Sequence, residues 1–313
     1  MKLSVIVPCY NEENNVVPFY NAVMKELKNI DLEILFINDG SRDQTFNKLK
    51  SLFLKDNEHV RIVDFSRNFG KEAALLAGLK ESKGDFVSII DADLQQNPKY
   101  IIDMLKILEN NPDYDCVAAY QNVRKEGKIL TFFKDCFYKL INRMTEIEIV
   151  RSASDFRTLK RCMVDAILSL PEQCRFSKGI FSWVGFNTYY MPYTVEERAS
   201  GESKWSFWKL FRYAIDGIVA FSTTPLVISS IIGIILCFVS FIFIAIIVIK
   251  TLCFGDPVAG FPTLATIILL FSGLQLFFIG VLGQYLAKTY TESKHRPVYI
   301  VKNILEKESF KDE

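Results

Sequence analysis

Histidine is scarce in this chain. Only His59 and His295 occur among 313 residues. That argues against a His-rich zinc site, and a Ser-His-Asp triad would have to recruit one of these two. The seven cysteines, Cys9, Cys116, Cys136, Cys162, Cys174, Cys237 and Cys253, include no C-x-x-C pair. An odd number without a framework fits free thiols in a reducing compartment. Neither sign of charge dominates: 37 Lys and Arg stand against 36 Asp and Glu, a formal net charge of +1. Nucleic-acid binding gains no support from that balance. Glycine-rich phosphate loops are also missing. No G-x-G-x-x-G follows the first apolar run, and no G-x-x-x-x-G-K-[ST] occurs, which argues against a dinucleotide fold and a P-loop. The opening MKLSVIVPCYNEE breaks at Pro8 and turns acidic, so it reads as a first strand rather than a secretion signal, with the N-terminal region cytoplasmic.

What is present is an alternation. Short apolar runs at 3–8, 32–38, 60–66, 85–91 and 115–120 are separated by helical patterns at about 13–29, 43–56, 70–82 and 98–110. Runs that are apolar throughout and divided by helices predict an α/β fold with a mostly parallel sheet covered on both faces. Ligands of such sheets bind at the carboxyl ends of the strands. Polar clusters fall at four predicted ends: Pro8, Tyr10, Asn11 and Glu12; Asn38-Asp39-Gly40-Ser41; Ser66 through Lys71; and Asp91-Ala92-Asp93. Two carboxylates at i and i+2 repel each other unless a cation joins them. Asp91 and Asp93, with the Gln95 amide oxygen, make an all-oxygen set suited to Mg²⁺ or Mn²⁺, an ion that takes phosphate oxygens as its remaining ligands. The stretches 155–161, 175–186 and 197–205 set charges among aromatics and read as polar loops.

After Lys204 the chain changes character. Residues 205–218 place Trp, Phe and Leu beside Lys209, Arg212 and Asp216, a pattern that predicts an amphipathic helix in a membrane interface. Residues 128–144 also look amphipathic. No charge occurs from Ile218 to Ile249, nor from Pro257 to Ala287, and each run exceeds the roughly 20 residues that cross a bilayer core. Lys204, Lys209 and Arg212 precede the pair, and Lys288, Lys294 and Arg296 follow it, so both ends are expected on the cytoplasmic side. The predicted organisation is a cytosolic domain at 1–204, an interface helix at 205–218, membrane helices at 219–249 and 258–287, and a cytosolic tail at 288–313.

In order, SVIVPCYNEE, INDGSRDQT, NFGKEAALLAG, DADLQQNP, SDFR and ERASGESKW resemble the family 2 glycosyltransferases of the GT-A fold. The nearer resemblance is to the polyprenyl-phosphate glycosyltransferases: dolichol-phosphate mannose synthases and bacterial undecaprenyl-phosphate glucosyltransferases. It covers nearly the whole chain, since the latter group also ends in a two-helix hairpin. One departure is Asn97, which intervenes before Pro98.

The resemblance implies an inverting, metal-dependent hexosyltransferase. It would move one sugar from a nucleotide sugar, glucose from UDP-glucose first, to a polyprenyl phosphate at the cytoplasmic face of a bacterial inner membrane. Pro8, Tyr10 and Glu12 would line the nucleotide site, Asp39 would bond the base, and Lys71 would lie near the donor. Asp91, Asp93 and Gln95 would hold the metal, Mg²⁺ or Mn²⁺. Asp155 would sit at the reacting centre with Asp93, as a base or an orienting group. Arg157, Arg198, Ser203 and Lys204 would bind the acceptor or its phosphate.

Other readings are another donor sugar (GDP-mannose, UDP-GlcNAc or a modified sugar), a processive polysaccharide synthase, or a non-catalytic nucleotide-sugar sensor. The synthase lacks support because Gln173-Cys174-Arg175-Phe176 departs from Q-x-x-R-W and one hairpin cannot line a pore. The sensor would require a lost metal site. The sequence does not set the oligomeric state, and a homo-oligomer is compatible with it.

Overall fold

The computed structural model describes residues 2–121, 153–194, 219, 222–254 and 260–307. Five strands alternate with four helices in the first part: β1 (Lys2–Cys9), α1 (Val16–Glu26), β2 (Asp31–Asn38), α2 (Thr45–Lys55), β3 (Val60–Phe65), α3 (Lys71–Glu81), β4 (Phe86–Ile89), α4 (Lys99–Asn110) and β5 (Cys116–Gln121). Then come β6 (Ala153–Lys160), α5 (Arg161–Leu168), α6 (Ser177–Trp183), β7 (Thr188–Tyr193), the long helices α7 (Thr224–Phe254) and α8 (Phe261–Ser293), and β8 (Val301–Leu305).

The strands form one sheet in the order β7-β5-β6-β4-β1-β2-β3-β8. It is mostly parallel, but β6 runs against both β4 and β5, and β8 runs against β3. The pleat divides each strand between two cores. Leu3, Val5 and Val7 of β1 join Ile34 and Phe36 beneath α1, α2 and α4. Ile6, Leu35 and Ile37 point the other way, onto α3, α5 and α6. The sheet and helices α1–α6 therefore stack in three layers, which is why the central strands are apolar on both faces. Helix α3 meets the sheet through small residues, Ala73, Ala74, Ala77 and Gly78. A Cβ added at Gly78 would lie 2.2 Å from Ile6 Cγ2, so the helix axis sits as near β1 as a glycine allows.

Strand β6 occupies part of the 155–161 stretch that reads as a polar loop, and α6 occupies part of 175–186. Their polar groups are paired inside the protein. Ser88 and Thr158, register partners on β4 and β6, join their buried hydroxyls at 2.7 Å. That bond helps fix the register of the strand that carries Asp155.

Helices α7 and α8 are both long and apolar enough to cross a membrane, and Ile234, Phe241, Leu276 and Phe277 on them are exposed. At roughly 1.5 Å per residue each exceeds the ~30 Å hydrocarbon core. Their bounds lie a few residues beyond the expected 219–249 and 258–287. Part of the 288–313 stretch expected as a tail is structured: α8 continues to Ser293, and Val301–Leu305 returns to the sheet edge as β8. Glu306, just past β8, meets Arg61 at 2.9 Å, and Arg61 in turn meets buried Glu33 at 3.2 Å. The segment after the apolar hairpin is thus stitched onto the edge of the sheet. The expected helix at 205–218 and the 128–144 segment lie outside the described residues.

Candidate active site

Strand β4 delivers the paired aspartates. The chain leaves it with Ile90 N–H donating to Ile6 carbonyl oxygen, then turns at once. The turn is held by its own side chains: Gln96 Oε1 accepts the Asp91 N–H at 3.1 Å, and Asp93 Oδ1 accepts the Gln95 N–H at 3.2 Å. Leu94 adopts a left-handed backbone, φ 59°, unusual for a leucine, and its side chain packs against the core. A strained residue anchored in this way keeps Asp91, Asp93 and Gln95 on a tight, fixed turn.

Strand β6 brings Asp155 to the same place. Ile89 pairs with Arg157 in the antiparallel ladder. Just past the end of that ladder, Asp155 comes beside Asp91, within reach of the same cation. Two carboxylates facing each other need a cation, and Lys71, the first residue of α3, supplies it. Its Nζ lies 2.8 Å from Asp91 Oδ1 and 2.9 Å from Asp155 Oδ2. Burial pushes the Asp155 carboxyl up. The Lys71 ammonium, with Lys178 and Arg157 nearby, outweighs burial and holds it well below the usual carboxylate range. Conversely, burial opposes the charge on Lys71, but Asp155 and Asp91 hold its pKa well above that of an ordinary lysine.

Asp39 sets where α3 begins. Its Oδ1 accepts the Phe69 N–H at 2.6 Å, and its Oδ2 accepts the Gly70 N–H at 2.9 Å and the Asn68 amide at 2.9 Å. Burial raises the Asp39 pKa, and the Phe69 and Gly70 N–H groups and the Arg67 charge offset this only in part. Both oxygens expected to read a base are engaged here by the loop that carries Lys71. Gly40, at φ +60°, is needed at the same contact: a Cβ there would lie 2.3 Å from the Arg67 carbonyl carbon.

The other expected nucleotide residues border this edge. Tyr10 is exposed and Pro8 half-buried. Glu12 braces the β1–α1 turn, with its Oε2 accepting the Asn15 amide at 2.6 Å. Further along the sheet edge, between the ends of β2 and β3, lies a cleft of about 380 Å³ lined in part by Asn38, Arg42, Phe46, Asp64, Arg67 and Lys302. Lys302 comes from β8, at the bulge where the register with Asp64 and Phe65 shifts. Strands about 4.8 Å apart put this cleft on the order of 12 Å from the end of β4.

Arg157 was expected to bind phosphate. Its residue is only 5 % exposed, with the guanidinium 3.8 Å from the centre of the Phe181 ring. It therefore contributes to the field at Asp155 and does not open to solvent. Arg198, Ser203 and Lys204 lie outside the described residues.

Residues not singled out from the sequence complete the wall. Glu72 accepts hydrogen bonds from the Ser177 N–H at 2.8 Å and from the Ser177 hydroxyl. Glu292, near the end of α8, accepts the Cys174 N–H at 2.7 Å and the Gln173 N–H at 3.1 Å. The segment leading into α6 is thus clamped between α3 and α8. The charged and aromatic stretch 175–186 was the only hint of it.

Among the described residues no group of three or more His, Cys, Asp or Glu gathers to enclose a metal. The donor set at the β4 turn is of another kind. Two carboxylates and an amide on one turn, with the Asp91 side chain 34 % exposed, suit a hard cation that keeps waters and shares phosphate oxygens. The residues present fit Mg²⁺ or Mn²⁺.

The description Glycosyl transferase family 2 matches residues 4–168. A bactoprenol glucosyl transferase of Shigella phage SfV is 42 % identical over 97 % of this chain and 99 % of its own. A prophage bactoprenol glucosyl transferase homolog of Escherichia coli K12 is 40 % identical over 97 % and 99 %. An uncharacterized glycosyltransferase of Synechocystis is 39 % identical over 97 % and 96 %. In fold, the chain is similar to glucosyl-3-phosphoglycerate synthase of Mycobacterium tuberculosis, crystallised with Mn²⁺, UDP and phosphoglyceric acid. That structure has a TM-score of 0.50 at 17 % identity and covers 70 % of this chain and 76 % of its own. Nearly end-to-end likeness at this identity, on a sheet whose carboxyl edge gathers the motif residues, shows that the chain belongs to glycosyl transferase family 2.

Proposed function

We propose that this glycosyltransferase moves glucose from UDP-glucose to the phosphate of a membrane-held polyprenol, with inversion, at the cytoplasmic face of a membrane. The observation that carries the reading is the Asp91–Lys71–Asp155 bridge at the carboxyl edge of the sheet, in a chain that also bears two long apolar helices. The relatives named bactoprenol glucosyl transferases, alike over nearly their whole length, supply the sugar and the acceptor class.

Asp91, Asp93 and Gln95 would hold the divalent cation, which when bound stabilises the charge developing on the leaving diphosphate. The diphosphate end of the donor lies by the β4 turn and Lys71. The nucleoside end runs toward Pro8, Tyr10 and Glu12, with the β2–β3 cleft in reach. The acceptor is a phosphate monoester whose second pKa is near 6, so it is largely dianionic at pH 7. One of its oxygens attacks the anomeric carbon, the bond to the diphosphate breaks with its electron pair leaving on UDP, and no proton has to move. That favours Asp155 as an orienting group: a carboxyl held well below its usual range is a weak base. Arg198, Ser203 and Lys204 are proposed to offset the repulsion between the two phosphorylated substrates. The hairpin of α7 and α8 has a physical reason, since each buried CH₂ of a polyprenol favours the bilayer by about 0.8 kcal/mol and the enzyme must come to it.

The test is transfer of labelled glucose from UDP-glucose into the lipid phase by the purified protein with undecaprenyl phosphate and Mg²⁺ or Mn²⁺. Label should enter the lipid, and Asp93→Ala or EDTA should prevent it. Labelling of a soluble acceptor instead would overturn the lipid reading, and transfer only from another nucleotide sugar would overturn glucose.

A further inference from the structure

We propose that Lys71 is a resident counter-ion that keeps a divalent cation off Asp91 until a nucleoside diphosphate arrives. The inference rests on the reading of Asp91 and Asp93 as the residues that hold the cation. It begins from the Lys71 ammonium, which reaches both oxygens of Asp91, at 2.8 and 3.1 Å, and Asp155 at 2.9 Å. Asp91 therefore already has its cation. A dication brought to the same oxygens meets a like charge at close range, in surroundings less screening than bulk water. On its own it is disfavoured.

A nucleoside diphosphate reverses the balance. It carries negative charge to this edge and supplies phosphate oxygens to both cations. The ammonium can then turn from Asp91 toward the diphosphate while keeping Asp155, and the Asp91 oxygens become available. The side chain is suited to such a move. Lys71 is a flexible stem with its side chain 41 % exposed. Its backbone is fixed by the Asp39 bonds to Phe69 and Gly70, just before α3. One end is held and the other is free to choose among anions. The consequence is an order of binding: cation with or after nucleotide, never well before it.

Mn²⁺ binding to the full-length protein in detergent, followed by the electron paramagnetic resonance of free Mn²⁺ with and without UDP, tests this. The wild type should bind Mn²⁺ about tenfold more weakly without UDP than with it, a coupling of ordinary size. Lys71→Met should bind Mn²⁺ without UDP several-fold more tightly than the wild type does without UDP. Lys71→Arg, which keeps the charge, should retain the wild-type difference. Wild-type protein that binds Mn²⁺ equally well with and without UDP would overturn the proposal whatever the variants do. So would a folded Lys71→Met protein whose UDP-free affinity is unchanged or weaker. If the wild type binds no Mn²⁺ even with UDP, or Asp93→Asn leaves binding intact, the cation site itself is misassigned and the proposal falls with it.

Discussion

The Asp39 carboxylate accepts the Gly70 N–H at 2.9 Å, and that bond fixes the point at which α3 starts. Lys71 is the next residue, so a side chain at the end of β2 determines where the cation between Asp91 and Asp155 stands. Asp39→Ala would leave the Phe69 and Gly70 N–H groups without their acceptor. Both donors are half-buried, so leaving them unpaired costs at most about the 1–3 kcal/mol of a buried donor. The variant should therefore melt at lower temperature and lose most of its turnover. Asp39→Asn keeps one acceptor oxygen and should fall between. Melting curves alongside the transfer assay check both, and an Asp39→Ala protein with wild-type melting and turnover would show that the loop is held by other means.

The pH dependence follows from the direction of the Asp155 shift. A carboxyl with a depressed folded pKa contributes stability above its unfolded value, about 3.9, and loses it only as pH falls through the folded value. Asp155 is held well below the carboxylate range once Lys71, Lys178 and Arg157 outweigh burial. Its bridge to Lys71 should therefore be intact throughout pH 5–8, and it should give no acidic limb in that window. If the acceptor is the proposed lipid phosphate, the limb in kcat/KM for the acceptor belongs to that phosphate, near pH 6. A pH profile of the wild type and of residual activity in Asp155→Asn should show the same limb. A limb present only in the wild type would make Asp155 a titrating base.

Much of the frame was legible because its strands are buried on both faces. Runs such as LSVIVP and LEILFIN have few polar residues to confuse the period, and the four polar clusters fall at strand ends as expected. Strand β6 was illegible for the opposite reason. Its Asp155, Arg157 and Thr158 look like a loop because their partners, Lys71, Phe181 and Ser88, are remote in sequence. The pairing of Asp155 with Asp91 also depends on β6 inserting between β4 and β5, a strand order that local patterning does not contain. Strand β8 is a five-residue edge strand with mixed exposure, too short and too polar to stand out. The turn residues 38–40 could be read as a turn, but not the loop that Asp39 would hold.

Strand β8 makes the segment after the hairpin part of the fold. It covers the edge of β3, with Ile62 opposite Leu305 and Asp64 opposite Asn303. Removing residues 298–313 would expose that edge and remove the Glu306 partner of Arg61, which is 8 % exposed. An uncovered edge strand invites pairing between chains. The truncated protein should aggregate on size-exclusion chromatography in detergent. Glu306→Gln, which leaves the strand in place, should remain monodisperse with a melting temperature lower by a few degrees. A truncated protein that elutes and melts like the full chain would show that the sheet does not need β8.

Gly78 sets two familiar effects against each other. Replacing a helix-interior glycine by alanine favours the helix by about 1 kcal/mol through backbone entropy. Here the new methyl would stand 2.2 Å from Ile6 Cγ2, a branch on a fully buried side chain in a central strand. Overpacking of this kind costs about 1–3 kcal/mol, and Ile6 has little room in which to yield. The second effect should win, so Gly78→Ala should be destabilised and should shift α3, with Lys71 at its head, away from the sheet. Ile6→Leu removes the Cγ2 branch. Combined with it, Gly78→Ala should lose less stability than the two single changes predict together, which a double-mutant cycle in melting or denaturant experiments measures. Strict additivity would mean that α3 does not rest on Ile6 at this point, and that the close approach of helix and strand does not position Lys71.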